Sequence, residues 1–550
     1  NGIQAPARSA VPLLPAPVRL PRMTRPPDDA PRGFLLRWLR LRPRLVLAGL
    51  VAGFLLAVAE FHDPDRGFTS LLSIGDILGE TKVSALRAVP HHVYEGSAGY
   101  DGAYYVQLAL HPALDNPELL RAIDNLPYRA RRIFTSWAAW ALGAGRPAWV
   151  VPAYALLNVG CWLVLGWVLL RWFPPDGWGN VIRWSAVMFS HGMCMSVRHS
   201  LVDGPALLLV ALAMRWLEDG RGVAGGAALA LSGLAKETSL LAAAGLRVDL
   251  RAPRTWPAVA GQVALVAAPL FAWMAYVRWR FGPAEDPGMG NFTYPFAGYL
   301  EKLGASLRDA GATDATPLAW ATLATVAALA VQWGFLAFRP RPEDRWWRVG
   351  AAFALMAVFL STPVWEGYPG ASTRVLLPMT LAFNILVPRG RKWLPVLLAG
   401  NLTVAAAVFE YSPPREFFAV RAEETVRDAV RVSAGKGWHG PERHGRNTWR
   451  WSAGKAELRL HNSSGAPLKV AMSGLVGAGS GEQRLRVTAG ERMLFGDTFG
   501  VKPGEMRFGL TLPAGETVLS FECDQPGRRI GTDPRELAYQ VINLEISVRR

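Results

Sequence analysis

The stretch Gly99-Tyr100-Asp101-Gly102-Ala103-Tyr104-Tyr105 lies in a long polar segment between two apolar runs, and most of the remaining chain before residue 410 is apolar. The stretch places one carboxylate between two glycines and follows it with aromatic side chains. Glycine allows a tight turn and a close approach of the backbone to a ligand. A plain surface turn has a similar composition, because Asp and Gly are common in turns. Set between membrane-type runs, the stretch favours an acid just outside a bilayer, where it can act on a lipid-borne substrate.

The composition indicates a membrane protein with more than one domain. The chain has 550 residues, which is too long for one ordinary domain, and 51% of them are hydrophobic. Its formal charge is +16, but the basic residues fall mainly between the apolar runs. This distribution is typical of membrane loops and not of a nucleic-acid-binding face, so no nucleic-acid partner is predicted. The three cysteines have no disulfide or metal-site spacing.

The N-terminal charges predict the orientation of the chain. Residues 1–43 read as a disordered, basic, cytoplasmic segment, of which 1–22 precede Met23 and are interpreted as an upstream extension. Arginines then precede a first apolar helix near Leu45–Ala59. By the positive-inside rule, the large loop 61–147 that contains Asp101 lies outside.

Residues 44–410 predict a transmembrane domain of about 11 spans, with the N-terminus inside and the C-terminus outside. The run Ile133–Gly143 is too short to cross a bilayer and predicts an interfacial half-helix. Merging the small-residue segment 222–248 into one helix is the main competing count. The spans after the first are expected near 148–170, 180–197, 203–217, 222–234, 237–248, 255–278, 318–338, 349–362, 374–388 and 393–410.

The composition changes after residue 410. Residues 411–436 predict a short helical linker, and residues 437–550 alternate with period two between Gly, Pro and Asn turns. About eight strands in a segment of this length predict an all-β sandwich or jelly-roll domain outside the membrane, in which carbohydrate binding is one option. Trp449 and Trp451 share one strand face, where exposure would allow sugar stacking and burial would make them core. The core interpretation is favoured.

Acidic and basic residues from six separate places are predicted at the outer membrane boundary. Such a mixture suits sugar transfer from a polyprenyl phosphate, because a carboxylate can deprotonate the acceptor hydroxyl while Arg and Lys hold the phosphate. For the arginines, contact with lipid headgroups is the alternative, and Lys236-Glu237 reads equally well as a neutralised pair at a helix end. The predicted set is Asp101, Arg129, Arg131, Arg132, Arg198, His199, Asp203, Lys236, Glu237, Glu366 and Arg374.

Several stretches in this order resemble the GT-C superfamily of lipid-linked-sugar glycosyltransferases, and more closely bacterial cell-surface glycopolymer formation proteins. The resemblance covers about residues 40–410. It rests on Gly99–Tyr105, Asp124-Asn125 with Tyr128–Arg132, Arg198–Asp203, Leu234–Thr238 and Ser372–Pro378.

The resemblance implies an inverting transfer at the outer face of a bacterial inner membrane, from a polyprenyl-phosphate sugar to a glycan or glycolipid acceptor, with Asp101 as the base. Many members carry an acidic pair near the end of the first helix, so Asp63 or Asp65 remains an alternative base. Arg131, Arg132, Lys236 and Arg374 are the candidate donor-phosphate ligands. The candidate supporting residues are Tyr100, Tyr104, His199, Asp203, Glu237 and Glu366.

Other classes remain open at this stage. A transporter or flippase for a lipid-linked sugar would also carry many spans and intramembrane charges, although the two halves show no internal repeat. A non-enzymatic scaffold is disfavoured only by the cost of keeping charges near lipid. Oxygen ligands for Mg²⁺ or Mn²⁺ exist in Asp101, Glu95, Glu366 and Asp203, but they form no compact motif. No metal site is therefore assigned, and assistance by Mg²⁺ or Mn²⁺ stays an open alternative.

Overall fold

The chain consists of a helical part followed by a β part. The structure, a computed structural model, describes residues 30–77, 81–94, 97–246, 254, 256–282, 288–414, 416–423, 426, 429–444, 447–530, 533 and 535–550. Within these ranges the last α-helix ends at Ala407 and the first strand begins at Phe418. This order confirms the predicted combination of an α-helical domain with a C-terminal all-β domain. The expectation for residues 1–29 lies outside the described residues.

The α-helices are numbered in chain order within the described residues. They are α1 Ala30–Ala59, α2 Ser84–Arg87, α3 Asp101–Leu110, α4 Leu119–Ala122, α5 Leu126–Ala130, α6 Phe134–Leu142, α7 Pro147–Leu169, α8 Trp178–Met188, α9 His191–Arg198, α10 Asp203–Glu218, α11 Gly222–Ala235, α12 Trp256–Phe281, α13 Ala297–Gly311, α14 Pro317–Phe338, α15 Arg345–Val358, α16 Thr362–Trp365, α17 Ser372–Val375, α18 Leu377–Leu386, α19 Leu394–Ala399 and α20 Val404–Ala407.

The first helix begins earlier than the sequence predicts. Helix α1 starts at Ala30, so residues 30–43 are helical and the expected disorder over 1–43 is wrong for that portion. Leu and Arg, which dominate this portion, are strong helix formers, and their propensity outweighs the lack of a clear apolar face. Pro43 is tolerated inside the helix.

Among the described residues, four helices are long and apolar enough to cross a membrane. They are Arg42–Ala59 within α1, then α7, α12 and α14, while α11 and α18 are shorter apolar helices. Only 17% of the residues of Arg42–Ala59, and 11% of the most apolar 18-residue stretch of α12, are buried within the protein. Most of the surface of these two segments is therefore left for contact with lipid. The chain is therefore a multi-pass membrane protein by its helices, and the predicted count of about 11 spans remains a prediction.

Several predicted spans are interrupted in the structure. The segment 180–197 forms α8 and α9, and 393–410 contains only α19 and α20. The segment 237–248 is not an α-helix but a 3₁₀ helix, Glu237–Gly245, which the extended backbone of Lys236 separates from α11. Broken helices of this kind occur at membrane depth where the freed backbone groups line a cavity or are buried in protein.

The loop after α1 is folded around its own hydrophobic core. Helices α2 to α6 lie in it, and their buried side chains pack with one end of α7 and with α12. Asn125 caps α5 by accepting a hydrogen bond from the Tyr128 amide at 3.1 Å. Helix α6 matches the expected short helix over Ile133–Gly143, and its interfacial position remains a prediction. The folded loop gives Asp101 a fixed support.

The β part contains two larger sheets that enclose one hydrophobic core. The strands are β1 Phe418–Ala422, β2 Val430–Ala434, β3 Glu442–His444, β4 Asn447–Ser452, β5 Lys455–Asn462, β6 Leu468–Ala478, β7 Gln483–Ala489, β8 Arg492–Phe499, β9 Gly504–Leu512, β10 Gly515–Cys523, β11 Arg528–Arg529, β12 Glu536–Leu537 and β13 Tyr539–Arg549. One sheet has the order β3-β4-β13-β6-β9 with β1 parallel to β13, and the other has the order β2-β5-β10-β7-β8. Alternate residues of both sheets fill the space between them, which is the arrangement of a β-sandwich.

Two expectations for this region need correction. The segment 411–436 is not a helical linker, because it contains β1 and β2, which complete the two sheets. The backbone of β1 pairs with β13 and that of β2 pairs with β5, so these residues are parts of the two sheets. Trp449 and Trp451 are not core: both are half-buried, on the face of β4 opposite the buried Arg450.

Candidate active site

Asp101 is positioned by the two glycines that flank it. Gly99 has φ +83°, and a Cβ there would lie 2.7 Å from the Ser73 carbonyl oxygen. Gly102 approaches the His199 backbone so closely that a Cβ would lie 2.2 Å from its carbonyl oxygen. The predicted tight turn is confirmed at Gly99. The close approach at both glycines is to the protein's own backbone, and approach to a ligand stays a prediction.

The Asp101 carboxylate lies between two guanidinium groups. Its Oδ1 is 2.9 Å from Arg129 Nη1, and its Oδ2 is 3.3 Å from Arg374 Nη1. The three side chains are only 13% to 19% exposed, so water screens them weakly. Burial acts to raise the pKa of Asp101, but the charges of Arg374 and Arg129 outweigh it and hold the pKa below its ordinary value.

Arg374 also joins Asp101 to a second carboxylate. Its Nη1 lies 3.5 Å from Asp203 Oδ2, and the other oxygen of Asp203 accepts a hydrogen bond from Lys236. Asp203 and Lys236 are both buried. A buried ion of either sign is costly unless it is paired, so these three side chains stabilise one another's charged forms.

A separate pair continues the same cluster. Arg132 makes two hydrogen bonds to Glu237, of 2.8 and 2.7 Å, and donates further bonds to the hydroxyls of Tyr105 and Tyr128. Because Arg132 donates four hydrogen bonds to these groups, the cost of removing its guanidinium from water is offset. The alternative interpretation, in which Lys236 and Glu237 neutralise each other at a helix end, is therefore wrong. Lys236 pairs with Asp203, and Glu237 pairs with Arg132.

Arg129 holds a third carboxylate. It donates to both oxygens of Asp124, at 3.0 and 2.8 Å, and its guanidinium lies 5.0 Å from the centre of the Tyr104 ring. Positive and negative groups thus alternate from Asp124 through Arg129, Asp101, Arg374 and Asp203 to Lys236. Each charge in this series therefore has a neighbour of opposite sign.

His199 belongs to a second group beside the cluster. Its ring lies 4.6 Å from that of Tyr100, its Nδ1 is 2.8 Å from Ser73 Oγ, and its Nε2 is 3.5 Å from Glu410. Glu410 also contacts His191 at 3.0 Å. Burial lowers the pKa of His199, in part against the opposing effect of Glu410.

Two predicted residues lie away from these contacts. The side chain of Glu366 is exposed at the end of α16, so it does not belong to the buried cluster. Arg131 packs over the Tyr128 ring at 4.5 Å and is half-buried, one residue from the central Arg132. Asp63 and Asp65 lie in the turn after α1, where Asp65 forms an ion pair with Arg431 of β2.

Sequence reasoning missed several members of the site. Glu410 and His191 were not selected, because each is a lone residue in or beside an apolar run and no local spacing marks it. Tyr105 lies in the Gly99–Tyr105 stretch, but the sequence predicts no separate role for it. Asp124 belongs to a motif without a predicted role. Arg129 belongs to the predicted set at the outer membrane boundary, in which contact with substrate and contact with lipid headgroups both stay open, and its contact with Asp101 was not predicted. Arg129 had one usable signal, since it is five residues from Asp124 in a capped turn.

The carboxylates of the cluster do not form a recognisable cation site. Within the described residues, no group of three or more His, Cys, Asp or Glu side chains is arranged to hold a metal. The position between Asp101 and Asp203 is occupied by the Arg374 guanidinium, which supplies positive charge there. Glu95 lies outside the described residues.

The comparisons with known proteins add little. No protein-family model and no curated protein matches the chain. Among solved structures, it is similar to the arabinosyltransferase EmbB from Mycobacterium smegmatis, determined by single-particle cryo-EM, with 11% identity and a TM-score of 0.30 over 92% of this chain. The chain spans 64% of the length of that protein. Similarity at this level does not establish a common fold or activity.

Proposed function

We propose that the protein is an integral membrane glycosyltransferase that moves a sugar from a polyprenyl-phosphate donor to a cell-envelope glycan or glycolipid acceptor. The observation that carries this proposal is the Asp101 carboxylate, held between Arg129 and Arg374 in a partly buried cluster of alternating charges. Such a cluster offers both groups that the reaction needs, a base for a hydroxyl and cations for a phosphate. The motif resemblance to the GT-C superfamily supports the same reaction.

In the proposed topology the N-terminus is cytoplasmic, about 11 segments cross the membrane, and Asp101 faces the outer side. The basic loops predicted on the inside support this orientation. Asp101 lies at the first residue of α3, in the folded loop, and Lys236 and Asp203 lie at helix ends. A site at the ends of membrane helices can meet the phosphate of a lipid-anchored donor at the headgroup level.

The proposed chemistry is a direct displacement. The acceptor hydroxyl loses its proton to Asp101, and its oxygen forms a bond to the anomeric carbon. The bond between that carbon and the phosphate oxygen breaks, and its electron pair leaves with the polyprenyl phosphate. Arg374, Lys236 and Arg132 stabilise the leaving phosphate, with Arg131 nearer the edge of the site.

Binding of the donor would also change the basicity of Asp101. Arg374 and Arg129 hold the pKa of Asp101 low in the absence of ligand, and a carboxylate in that state is a weak base. When the donor phosphate pairs with the Arg374 guanidinium, it offsets part of the positive charge that Arg374 places beside Asp101. Asp101 therefore becomes a stronger base only when the donor is bound. In the absence of donor, its protonation by solvent is limited.

The first prediction concerns Asp101→Asn. Purified protein in lipid nanodiscs is given a panel of polyprenyl-phosphate sugars with cell-envelope glycan acceptors, and product is quantified. We expect the variant to lose at least 100-fold in transfer, because an amide cannot take up the proton. The matched control is Asp115→Asn, since Asp115 is exposed beyond the end of α3 and should tolerate the change.

Equal transfer by the wild type and Asp101→Asn would keep the enzyme class and discard Asp101 as the base. Asp63 and Asp65 would then be tested in the same way. Movement of lipid-linked sugar across the bilayer without sugar transfer would favour the transporter. Addition of EDTA, followed by Mg²⁺ or Mn²⁺, measures metal dependence in the same assay.

A further inference from the structure

A cavity of about 480 Å³ lies between the turn that follows α1 and the nearest edge of the β-sandwich. Glu60, Asp63 and Asp65 line one side, and Phe418 and Ser433 line the other. Its volume falls within the range of small-molecule sites, about 300–1,000 Å³. Because both parts of the chain form its walls, the cavity is a feature of the complete protein.

We propose that this cavity binds the acceptor as an uncharged saccharide chain. This inference rests on the proposed function, since it names where the acceptor sits relative to Asp101. Sugar recognition needs hydrogen-bonding side chains for the hydroxyls and flat apolar surfaces for the ring faces. The cavity provides carboxylates for the first and the rings of Tyr94 and Phe418 for the second.

The charge of the cavity selects against anions. Four carboxylates line it against two guanidinium groups, and Arg431, which pairs with Asp65 at 2.8 Å, supplies a third guanidinium beside the lining. The imidazole of His92 is neutral, because burial, with Arg66 nearby, lowers its pKa to about 4. A phosphate or uronate would meet net negative charge here, whereas a neutral saccharide would not. The charged lining groups are Glu60, Asp63, Asp65 and Glu416 with Arg66 and Arg450.

A chain of contacts connects the cavity wall to the Asp101 site. The Tyr94 hydroxyl accepts a hydrogen bond of 2.8 Å from Arg198, which also donates to Ser73 Oγ at 3.3 Å. Ser73 contacts His199, and His199 stacks on Tyr100, the neighbour of Asp101. The cavity also reaches Ser97, two residues before the Gly99 turn. An acceptor seated there lies on the same loop as the base.

The two sites therefore divide the substrates by charge. The donor phosphate meets Arg374, Lys236 and Arg132, and the neutral acceptor meets an acidic cavity. This assigns Asp63 and Asp65, the alternative bases, to the binding of the acceptor. Asp65 also contacts Arg431 of β2 at 2.8 Å, which ties the acceptor side to the β-sandwich.

The test measures binding without donor, so that it succeeds or fails independently of sugar transfer. Full-length protein in nanodiscs is titrated with neutral gluco-, manno- and galacto-oligosaccharides of three to five units and with oligo-uronates of the same lengths. The blocking variant is Ser433→Trp, which fills the cavity from an exposed strand position. Its matched control is Thr498→Trp, which changes an exposed strand hydroxyl on β8, outside the cavity lining.

We expect the wild type and Thr498→Trp to bind a neutral oligosaccharide at least tenfold more tightly than any uronate. Ser433→Trp should weaken that binding at least tenfold. Glu60→Gln, which leaves the shape unchanged, should reduce discrimination against uronates about threefold. In the transfer assay, Ser433→Trp should raise the acceptor KM at least tenfold, whereas Thr498→Trp should leave it unchanged.

The proposal is overturned if no neutral oligosaccharide binds, if uronates bind equally well, or if Ser433→Trp binds like the control. Binding that follows the expected pattern without any sugar transfer would instead reject the proposed enzyme and leave a saccharide-binding membrane protein.

Discussion

At the residue scale, the most informative feature is the pairing of Asp101 with arginines from opposite ends of the helical part. Arg129 follows it by 28 positions in the same loop, whereas Arg374 lies 273 positions away. The sequence identified Asp101 through its glycine neighbours and Arg374 through a motif. It could not predict that both arginines would share one carboxylate, because such contacts depend on how distant segments pack.

The second prediction concerns the pH dependence that follows from this pairing. A carboxyl group whose pKa is lowered in the folded protein stabilises it above the unfolded pKa, and this stabilisation is lost as the pH falls through the folded value. Asp101 therefore remains ionised in the free enzyme down to below about pH 4. We expect no acidic limb from Asp101 in the profile of kcat/KM between pH 5 and 8.

The measurement is a pH–rate profile at low substrate concentration, together with the free energy of unfolding over the same range. The prediction is contradicted if kcat/KM falls with an acidic limb near pH 6 and if Arg129→Gln or Arg374→Gln does not move that limb. Such a result would mean that Arg129 and Arg374 do not lower the pKa of Asp101 in the enzyme without substrate.

At the scale of elements, the start of α3 is determined by contact with the loop between α9 and α10. Gly102 in the first turn of α3 meets the His199 carbonyl, and Gly192 in the first turn of α9 meets the Thr373 carbonyl in the same way. Around the site, the backbones of the short helices α3 and α9 are thus in direct contact with the backbones of neighbouring segments. Their individual packing, more than their hydropathy, positions the charged residues.

The third prediction is that Gly102→Ala destabilises the protein by about 1–3 kcal/mol and lowers transfer. The added Cβ would lie 2.2 Å from the backbone oxygen of His199, so either α3 or that loop must shift. The control is Gly179→Ala, also in the first helical turn but with no atom within 4 Å of the added methyl group. Gly179→Ala should be neutral or slightly stabilising.

Thermal unfolding in detergent compares the two alanine variants. Similar melting temperatures would show that α3 can move away from His199 at little cost. The base would then not depend on this contact for its position.

At the scale of the whole molecule, the β-sandwich is attached to the helical part through the segment after α20. Glu416 of that segment contacts Arg450 of β4 at 2.8 Å, and the Arg450 side chain is only 2% exposed. The neighbouring Phe417 is fully buried in the sandwich core. The connection therefore behaves as part of the sandwich and not as a free linker.

The fourth prediction compares two arginines of the β part. Arg450→Met should destabilise the protein by about 2 kcal/mol, because it removes the charge-assisted hydrogen bonds of the buried guanidinium to Glu416 and its bond to the His439 carbonyl. Arg431→Met should cost less than about 1 kcal/mol, since the pair with Asp65 is exposed by 67% and 46% on its two sides. Unfolding of the β part, followed by tryptophan fluorescence in denaturant, measures both.

A loss at Arg431 as large as that at Arg450 would contradict this ranking. It would indicate that the exposed pair with Asp65 fixes the sandwich on the outer loop, and the acceptor cavity would then depend on it. A neutral Arg450→Met would show that Met fills the space of the arginine without leaving a buried charge.

The sequence was sufficient to predict the order of a helical part and a β part, a large polar loop after the first helix, and the residue types of the site. These follow from local rules: apolar runs, period-two alternation, turn glycines and the chemistry of Asp, Arg and Lys. It misplaced the linker at 411–436, because β1 and β2 become strands only when β13 and β5 pair with them.

The pairing of the charges depends on the packing of segments that are distant in the chain. Lys236 faces Asp203 and not its neighbour Glu237, which faces Arg132 from 105 positions away. The broken backbone at Lys236 turns the two adjacent side chains in different directions, and burial then makes each one require an opposite charge. The physical reason is that desolvation acts on the position of a side chain in space, which the order of residues does not specify.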